Sequence, residues 1–271
     1  MESTKKTWTK SLAGSWNKWT PPDRPSPGEL KTYEEVLKQI LGRKKKLNVM
    51  VLGSTSEFRD VFSKYKLPCT VVEYNEENYR LLGSLMKRKK FKETLVVGDW
   101  RTVKLKQKFD LIIGDFCLNV IPKADVPVFV ANIAGLLGPQ GMCMLKTFAR
   151  YDSVRGDLAE RLQFYRTKMK HRPILESIMA SMFKSVYNYE AEVGSFVDLW
   201  HNFVSLERAG KMTKDELQYF ADLNIKDISL KYYIPNFVEL CKTIEANATL
   251  YGVRFGGEWF SVDVPVVMFK K

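Results

Sequence analysis

Histidine and cysteine are scarce in this chain. Among 271 residues there are two histidines, His171 and His201, and four cysteines, Cys69, Cys117, Cys143 and Cys241. No CxxC pair or Cys/His cluster exists, so no metal site is expected. Scattered, unpaired cysteines read as reduced thiols, and the expected compartment is cytoplasmic. No apolar run is long enough to span a bilayer, so no membrane is expected as a partner. Residues 1–16, MESTKKTWTKSLAGSW, lack the continuous apolar stretch of a signal peptide. The GxGxxG of nicotinamide dehydrogenases is missing. Internal repeats and low-complexity segments are missing too.

What is present suits a globular protein: 45% of residues are hydrophobic and 27% charged. The length fits one domain, or one domain with an insertion. The net charge of +12 favours an acidic partner, though loosely. Part of the excess lies in two runs, RKKK at 43–46 and KRKK at 87–90. Both fall at the ends of predicted helices, where cations complement the dipole, and read as solvated surface.

The chain opens on an arm over 1–35 rich in tryptophan and proline. Trp8, Trp16 and Trp19 precede Pro21, Pro22, Pro25 and Pro27. Aromatic residues at this density are unusual in a disordered tail, so 7–19 is expected to form a short amphipathic helix docked on the body. It either packs there or covers a pocket. Apolar spacing then predicts helices over 28–42, 57–65, 76–90 and 126–137. Strands are predicted over 47–53, 69–74, 94–97, 109–114 and 142–148. This alternation implies a doubly wound, mostly parallel sheet covered on both faces. From 151 to 230 strand signals vanish and helices are predicted over 155–170, 173–189, 195–209 and 213–223. Thr213 and Glu216 fit a capping box on the last. The sheet pattern resumes with a helix over 235–248 and strands at 250–255 and 259–269, joined by Gly256 and Gly257 into an antiparallel hairpin. The expected class is therefore α/β, with a seven-stranded sheet over 36–150 and 231–271 and an all-helical insertion over 151–230.

The stretch LNVMVLGSTSEF at 47–58 reads as a buried strand, a tight turn at Gly53 and a helix start. A glycine there lets backbone approach a ligand, and Ser54, Thr55 and Ser56 offer hydroxyls and an N-cap. Gly53, Glu73, Asp99 with Trp100, and Asp115 all fall at the carboxyl ends of predicted strands, the edge at which open parallel sheets bind ligands. An acid ending the second strand can accept from a ribose diol. Asp99 can accept from an exocyclic amine, and Trp100 can shield a purine ring.

These residues in this order resemble the class I, Rossmann-like S-adenosylmethionine-dependent methyltransferases. LGSTSEFRD, GDW and FDLIIGDFCLN, with the stretch WTPPDRPS at 19–26, look like a subgroup having a TPELR-like first loop. The resemblance implies S-adenosyl-L-methionine as cofactor. It implies that Gly53 lies at the methionine part, Glu73 at the ribose and Asp99 at the adenine amine; Ser54, Thr55, Tyr74, Trp100 and Asp115 are the further cofactor-binding candidates. The first loop departs from the family's pattern, because Gly53 is followed by Ser-Thr-Ser-Glu and not by further glycines.

Methyl transfer needs an aligned acceptor and exclusion of water. Asp115 and Asn119, in DFCLN, sit where acceptor-side groups lie in the family, and Asp115 is the candidate base or anchor. No NPPY-like tetrapeptide or Pro-Cys nucleophile follows the fourth strand, which argues against base methylation. GPQGMCMLKTF around Lys146 resembles RNA ribose 2′-O-methyltransferases, and Asp115, Lys146 and Glu258 could supply that chemistry, with Lys38 as a further lysine. An 80-residue insertion at 151–230 and the aromatic arm speak for a closed site and a small-molecule acceptor. RNA is the alternative acceptor, and a non-catalytic or non-methylating S-adenosylmethionine-binding protein is the alternative function. The insertion is expected to act as a lid, with most of its aromatic residues in its own core.

Overall fold

A computed structural model describes residues 14–88 and 92–271. They divide into two compact units, one of residues 25–151 and 235–271, the other of residues 14–24 and 152–234.

The sheet unit begins with α1, Pro27–Arg43. Its start is fixed by a reciprocal cap. The Ser26 hydroxyl accepts from the Glu29 amide at 3.0 Å, and the Glu29 carboxylate accepts from the Ser26 amide at 2.6 Å. Pro27 pre-sets the first turn. Then come β1 (Val49–Leu52), α2 (Ser56–Lys64), β2 (Cys69–Glu73), α3 (Glu76–Ser84), β3 (Glu93–Val97), β4 (Phe109–Asp115), α4 (Val126–Leu136) and β5 (Leu137–Lys146). The helical unit follows, with α5 (Leu158–Phe164), α6 (Ile174–Ser185), β6 (Gly194–Ser195), α7 (Phe196–Arg208), α8 (Lys214–Asp222) and β7 (Lys231–Tyr232). The chain returns to the sheet through α9 (Phe237–Glu245), β8 (Thr249–Arg254) and β9 (Val266–Lys270).

The seven-stranded sheet has the order β3-β2-β1-β4-β5-β9-β8. β1 to β5 run parallel; β9 is antiparallel to β5 and to β8. Strand order reverses between β1 and β4, and ligands of such sheets sit at that switch point. Every residue of β1, VMVL, is buried, as a strand covered on both faces requires. On one face Tyr33 and Leu37 of α1 pack with Phe58 and Phe62 of α2 over Val49, Val51, Val71, Leu111 and Ile113. Each such side chain contributes about 1.5–3 kcal/mol by leaving water.

The helical unit has its own aromatic centre. The ring of Phe183 lies 5.0 Å from Tyr232 and 5.6 Å from Phe196. Trp16 and Trp19 are buried in this unit, where Ser15 donates to the Leu223 carbonyl at 3.2 Å. The capping box of Thr213 and Glu216 forms at the start of α8.

Several expectations need correction. The final strands are not joined by a Gly-Gly turn; residues 255–265 connect them, because Arg254 and Val266 are already paired in register. The fifth strand starts at Leu137, directly where α4 stops, and the third predicted helix ends at Ser84. The insertion is not wholly helical, since β6 and β7 form a two-stranded sheet, and a π-helical turn, Tyr165–Met169, follows α5. Residues 27–35 form the start of α1 in the sheet unit and are no part of an arm. Of the predicted arm helix, residues 14–15 are helical and lead into a 3-10 turn, Trp16–Lys18, while Trp8 and residues 7–13 lie outside the described residues, as do Lys89 and Lys90.

Arg59, the arginine of the first-loop motif, serves the fold. It makes a two-pronged ion pair with Glu93 of β3 at 2.8 and 2.5 Å and donates to the Tyr79 carbonyl at 3.1 Å. Both side chains of the pair are nearly inaccessible, at 3% and 7% exposure. We predict that Arg59→Ala, which leaves the Glu93 carboxylate buried without its partner, destabilises the protein by about 3–5 kcal/mol. Urea unfolding of the variant checks this; a loss below about 1 kcal/mol, the scale of an exposed pair, would rule it out.

Candidate functional site at the carboxyl ends of the strands

Gly53 directly follows β1 with φ +83°, a conformation that a side chain resists. Its amide donates to the Val72 carbonyl at 2.9 Å, and the Trp100 indole donates to the same carbonyl at 2.8 Å. The Trp100 ring therefore lies against the Gly53 turn, 3.5 Å from where a Cβ would stand. Ser54 is buried and donates to Glu73 Oε2 at 2.8 Å; the Asn75 amide donates to Glu73 Oε1 at 3.0 Å. Burial pushes the Glu73 carboxyl up, opposed by the Asn75 and Ser54 bonds, the Tyr74 amide and the Arg59 charge. A carboxylate offers about four lone-pair positions, and Ser54, Asn75 and the Tyr74 amide use three, so Glu73 retains room for about one more donor. Thr55 stands at the N-cap of α2, buried, and its side chain makes no capping bond.

Asp99 is brought to the same edge but is shared with a neighbour. Arg101 donates from Nη2 at 2.5 Å and from Nε at 2.9 and 3.1 Å, and its amide adds a bond at 2.9 Å. Arg101 also pairs with Asp125. These bonds hold the Asp99 carboxyl below its ordinary value.

The register Leu52↔Gly114 places Asp115 opposite Gly53, one strand away, and Asp115↔Lys146 places the lysine one strand further. Lys146 is completely buried. Its Nζ lies 3.3 Å from Asp115 Oδ1, 3.4 Å from Glu29 Oε2 and 4.3 Å from the centre of the Phe116 ring. Asp115 Oδ1 and Glu29 Oε1 accept no well-aligned hydrogen bond among the described residues. Burial raises Asp115 from 3.8 to about 7, with Lys146 pulling down and Glu29 and Glu57 pushing up. Glu29 is raised by burial as well, opposed by Lys146. The Tyr33 hydroxyl, facing both carboxyls, is driven well above its ordinary value, chiefly by burial. Glu258 joins from the β8–β9 connection, accepting from the Gly28 amide at 2.8 Å. Gly28 must be glycine, because a Cβ would meet the Gly256 carbonyl and the Glu258 carboxylate.

Asn119 also reaches this edge, but its amide clamps the loops after β4 and β5. It donates to the Phe148 carbonyl at 2.7 Å and accepts from the Phe148 amide at 3.0 Å. Lys38 does not join the cluster; it is exposed on α1. The α1 residue that meets Lys146 is Glu29, which sequence reasoning missed. Its only signal was the Ser26–Glu29 capping spacing, and that announces a helix start. His171 and His201 are exposed in the helical unit.

The fold can be compared with solved structures. CcbJ methyltransferase of Streptomyces caelestis is similar over 97% of this chain and 97% of its own, with TM-score 0.59 at 11% identity. Magnesium protoporphyrin IX methyltransferase (ChlM) of Synechocystis PCC 6803, solved with bound SAH, is similar over 99% and 98%, with TM-score 0.53 at 10% identity. The chain has the class I methyltransferase fold. A Rhodobacter sphaeroides protein named as a proposed Zn-dependent alcohol dehydrogenase is similar too, over 97% and 98%, with TM-score 0.57 at 12% identity. No group of three or more metal-ligating side chains comes together among the described residues. No helix among them is long and apolar enough to cross a membrane. No family model and no curated protein matches the chain, and the TPELR-like subgroup finds no support in these likenesses.

The buried carboxyls give stability a definite pH dependence. Asp115 and Glu29 bind protons more tightly folded than unfolded. Their contribution is full below their ordinary values and is lost as pH rises, for Asp115 through about 7. We predict that Asp115→Asn gains stability relative to the unsubstituted protein as pH rises from about 5 to about 8. Parallel urea titrations at both pH values measure the difference, and a pH-independent difference would refute the prediction.

Proposed function

We propose that this chain is an S-adenosylmethionine-dependent methyltransferase acting on a small-molecule acceptor. The observation that supports it most is the pairing of the Gly53 turn with buried Glu73. Backbone without a Cβ adjoins a carboxylate whose two oxygens are already oriented by Ser54 and Asn75. That geometry suits a ribose hydroxyl, which brings a donor to the remaining position on the carboxylate. Glu73 would hold the ribose, with Tyr74 a further cofactor-binding candidate. Gly53, Ser54 and Thr55 would adjoin the methionine part. Trp100 would lie beside the adenine, whose amine would share Asp99 with Arg101. When bound, S-adenosylmethionine supplies an electrophilic methyl group on a good leaving group. The protein's part is to align the acceptor, exclude water and manage a proton, and Asp115 with Lys146 stands on that side of the site. CcbJ and ChlM are methyltransferases of the same fold.

RNA ribose 2′-O-methylation is the second reading. It draws on the placement of Lys146 beside Asp115, with Glu258 near Glu29. It is the weaker reading because the residue that meets Lys146 from α1 is acidic Glu29 and Lys38 is exposed.

We predict that Glu73→Ala weakens S-adenosylmethionine binding by about 1.5–3 kcal/mol, roughly ten- to 150-fold in Kd. Calorimetric titration of the folded variant measures this, and unchanged affinity would end the assignment. Product analysis separates turnover modes: S-adenosylhomocysteine marks methyl transfer, whereas methylthioadenosine marks a non-methylating enzyme.

A further inference from the structure

Glu29, Asp115 and Lys146 form a buried cluster with an odd charge balance. Two carboxyls share one ammonium, at 3.3 and 3.4 Å, and all three side chains are at most 3% exposed. If both carboxyls ionise, the cluster carries one negative charge more than Lys146, the ammonium that pairs with them, balances. The other groups facing it make matters worse. Glu57 faces Asp115 from the start of α2, Glu258 faces Glu29 from the β8–β9 connection, and Tyr33 and Cys117 contribute no positive charge. An isolated negative charge is expensive out of water, so a proton bound to one carboxyl is the cheaper arrangement. The two carboxylate oxygens without aligned donors are where that proton can sit.

We propose that Glu29, Asp115 and Lys146 hold one shared proton that a docking sulfonium expels, so that the site distinguishes the charged methyl donor from its neutral product. This rests on the cofactor reading given above. Asp115 follows Gly114, the register partner of Leu52, and so stands one strand, about 4.8 Å, from Gly53; a sulfonium held at the Gly53 turn would lie on the side of the cluster. A sulfonium supplies the missing positive charge, and the carboxyl releases its proton to solvent. Methyl transfer then removes that charge. The sulfonium becomes a thioether, the carbon–sulfur bond breaks, the bond from carbon to the acceptor atom forms, and the acceptor loses a proton. The cluster, again one positive charge short, takes that proton up. A base therefore exists beside the acceptor only while the donor is bound. Glu29 acts through Asp115 and Lys146 and is a positioning residue: its charge makes Asp115 hold the proton until the donor arrives.

Calorimetric titration of the full chain near pH 7, in buffers of different ionisation enthalpy, counts protons exchanged on binding. The probes are S-adenosylmethionine, sinefungin and S-adenosylhomocysteine, which are positive, positive and neutral at the corresponding position. Expected is the release of roughly half a proton or more with the two cationic probes and close to none with S-adenosylhomocysteine. Glu29→Gln keeps the cap on Ser26 while removing the competing charge. Asp115 then ionises before binding, and the release with S-adenosylmethionine should fall several-fold. Equal proton counts for all three probes, with binding intact, overturn the proposal and leave the cofactor reading standing. Undiminished release in folded Glu29→Gln overturns the role of Glu29. Binding of none of the three ends the cofactor reading, and the proposal with it.

Discussion

One buried ammonium ties the carboxyl edge of the sheet together. Lys146 ends β5 inside the protein, and an ammonium out of water is tolerated only when paired. Its partners come from different parts of the chain, Asp115 from the adjacent strand and Glu29 from the helix that precedes β1. The ring of Phe116 covers it. Much else follows from keeping this arrangement intact. α1 must start at Pro27 so that Glu29 is both cap and partner, and Gly28 must let that start approach the β8–β9 connection. Asn119 must clamp the post-β4 turn to Phe148 so that the ends of β4 and β5 keep their spacing.

The other half of the edge is built differently. Around Gly53 the polar groups are mostly satisfied by one another. One carbonyl, that of Val72, receives the Gly53 amide and the Trp100 indole, and one carboxylate, that of Glu73, receives Ser54 and Asn75. Such a surface is pre-organised, since its acceptors are oriented before any ligand arrives. The two halves have opposite electrostatic characters. The Glu73 side has satisfied acceptors with spare capacity, and the Lys146 side has a charge deficit. A donor that brings hydroxyls to the first and a positive charge to the second would satisfy both at once.

Arg59 shows that a residue inside a motif can serve the fold. It belongs to the first-loop segment that suggested a cofactor site, yet its guanidinium is spent on Glu93 and the Tyr79 carbonyl. It ties α2 to the edge strand β3 and passes only a small field to Glu73. Arginine suits this position because its planar fork satisfies a buried carboxylate with two parallel bonds, which lysine cannot do.

The order of strands and helices was readable from the chain alone. Uninterrupted apolar runs such as VMVL must be covered on both faces, and Gly53, Glu73, Asp99 and Asp115 fall at strand ends whatever the packing. Local rules sufficed for the Thr213 cap, and apolar spacing placed a helix over 28–42 where Pro27–Arg43 forms one. Contacts distant in sequence were not readable. Nothing near Glu29 signals that it meets Lys146, because the Ser26 spacing explains the residue completely at the local level. Asp99 reads as an open acceptor until Arg101 folds back on it, and Asn119 reads as an acceptor-side group until Phe148 uses its amide. The length of the last connection depended on the register of β8 with β9, which side-chain pairing across the sheet decides and two adjacent glycines do not. Periodicity reports which face of an element is buried. Which charges meet inside is set only when the elements pack, because the cost of burying a charge depends on every partner the fold brings to it.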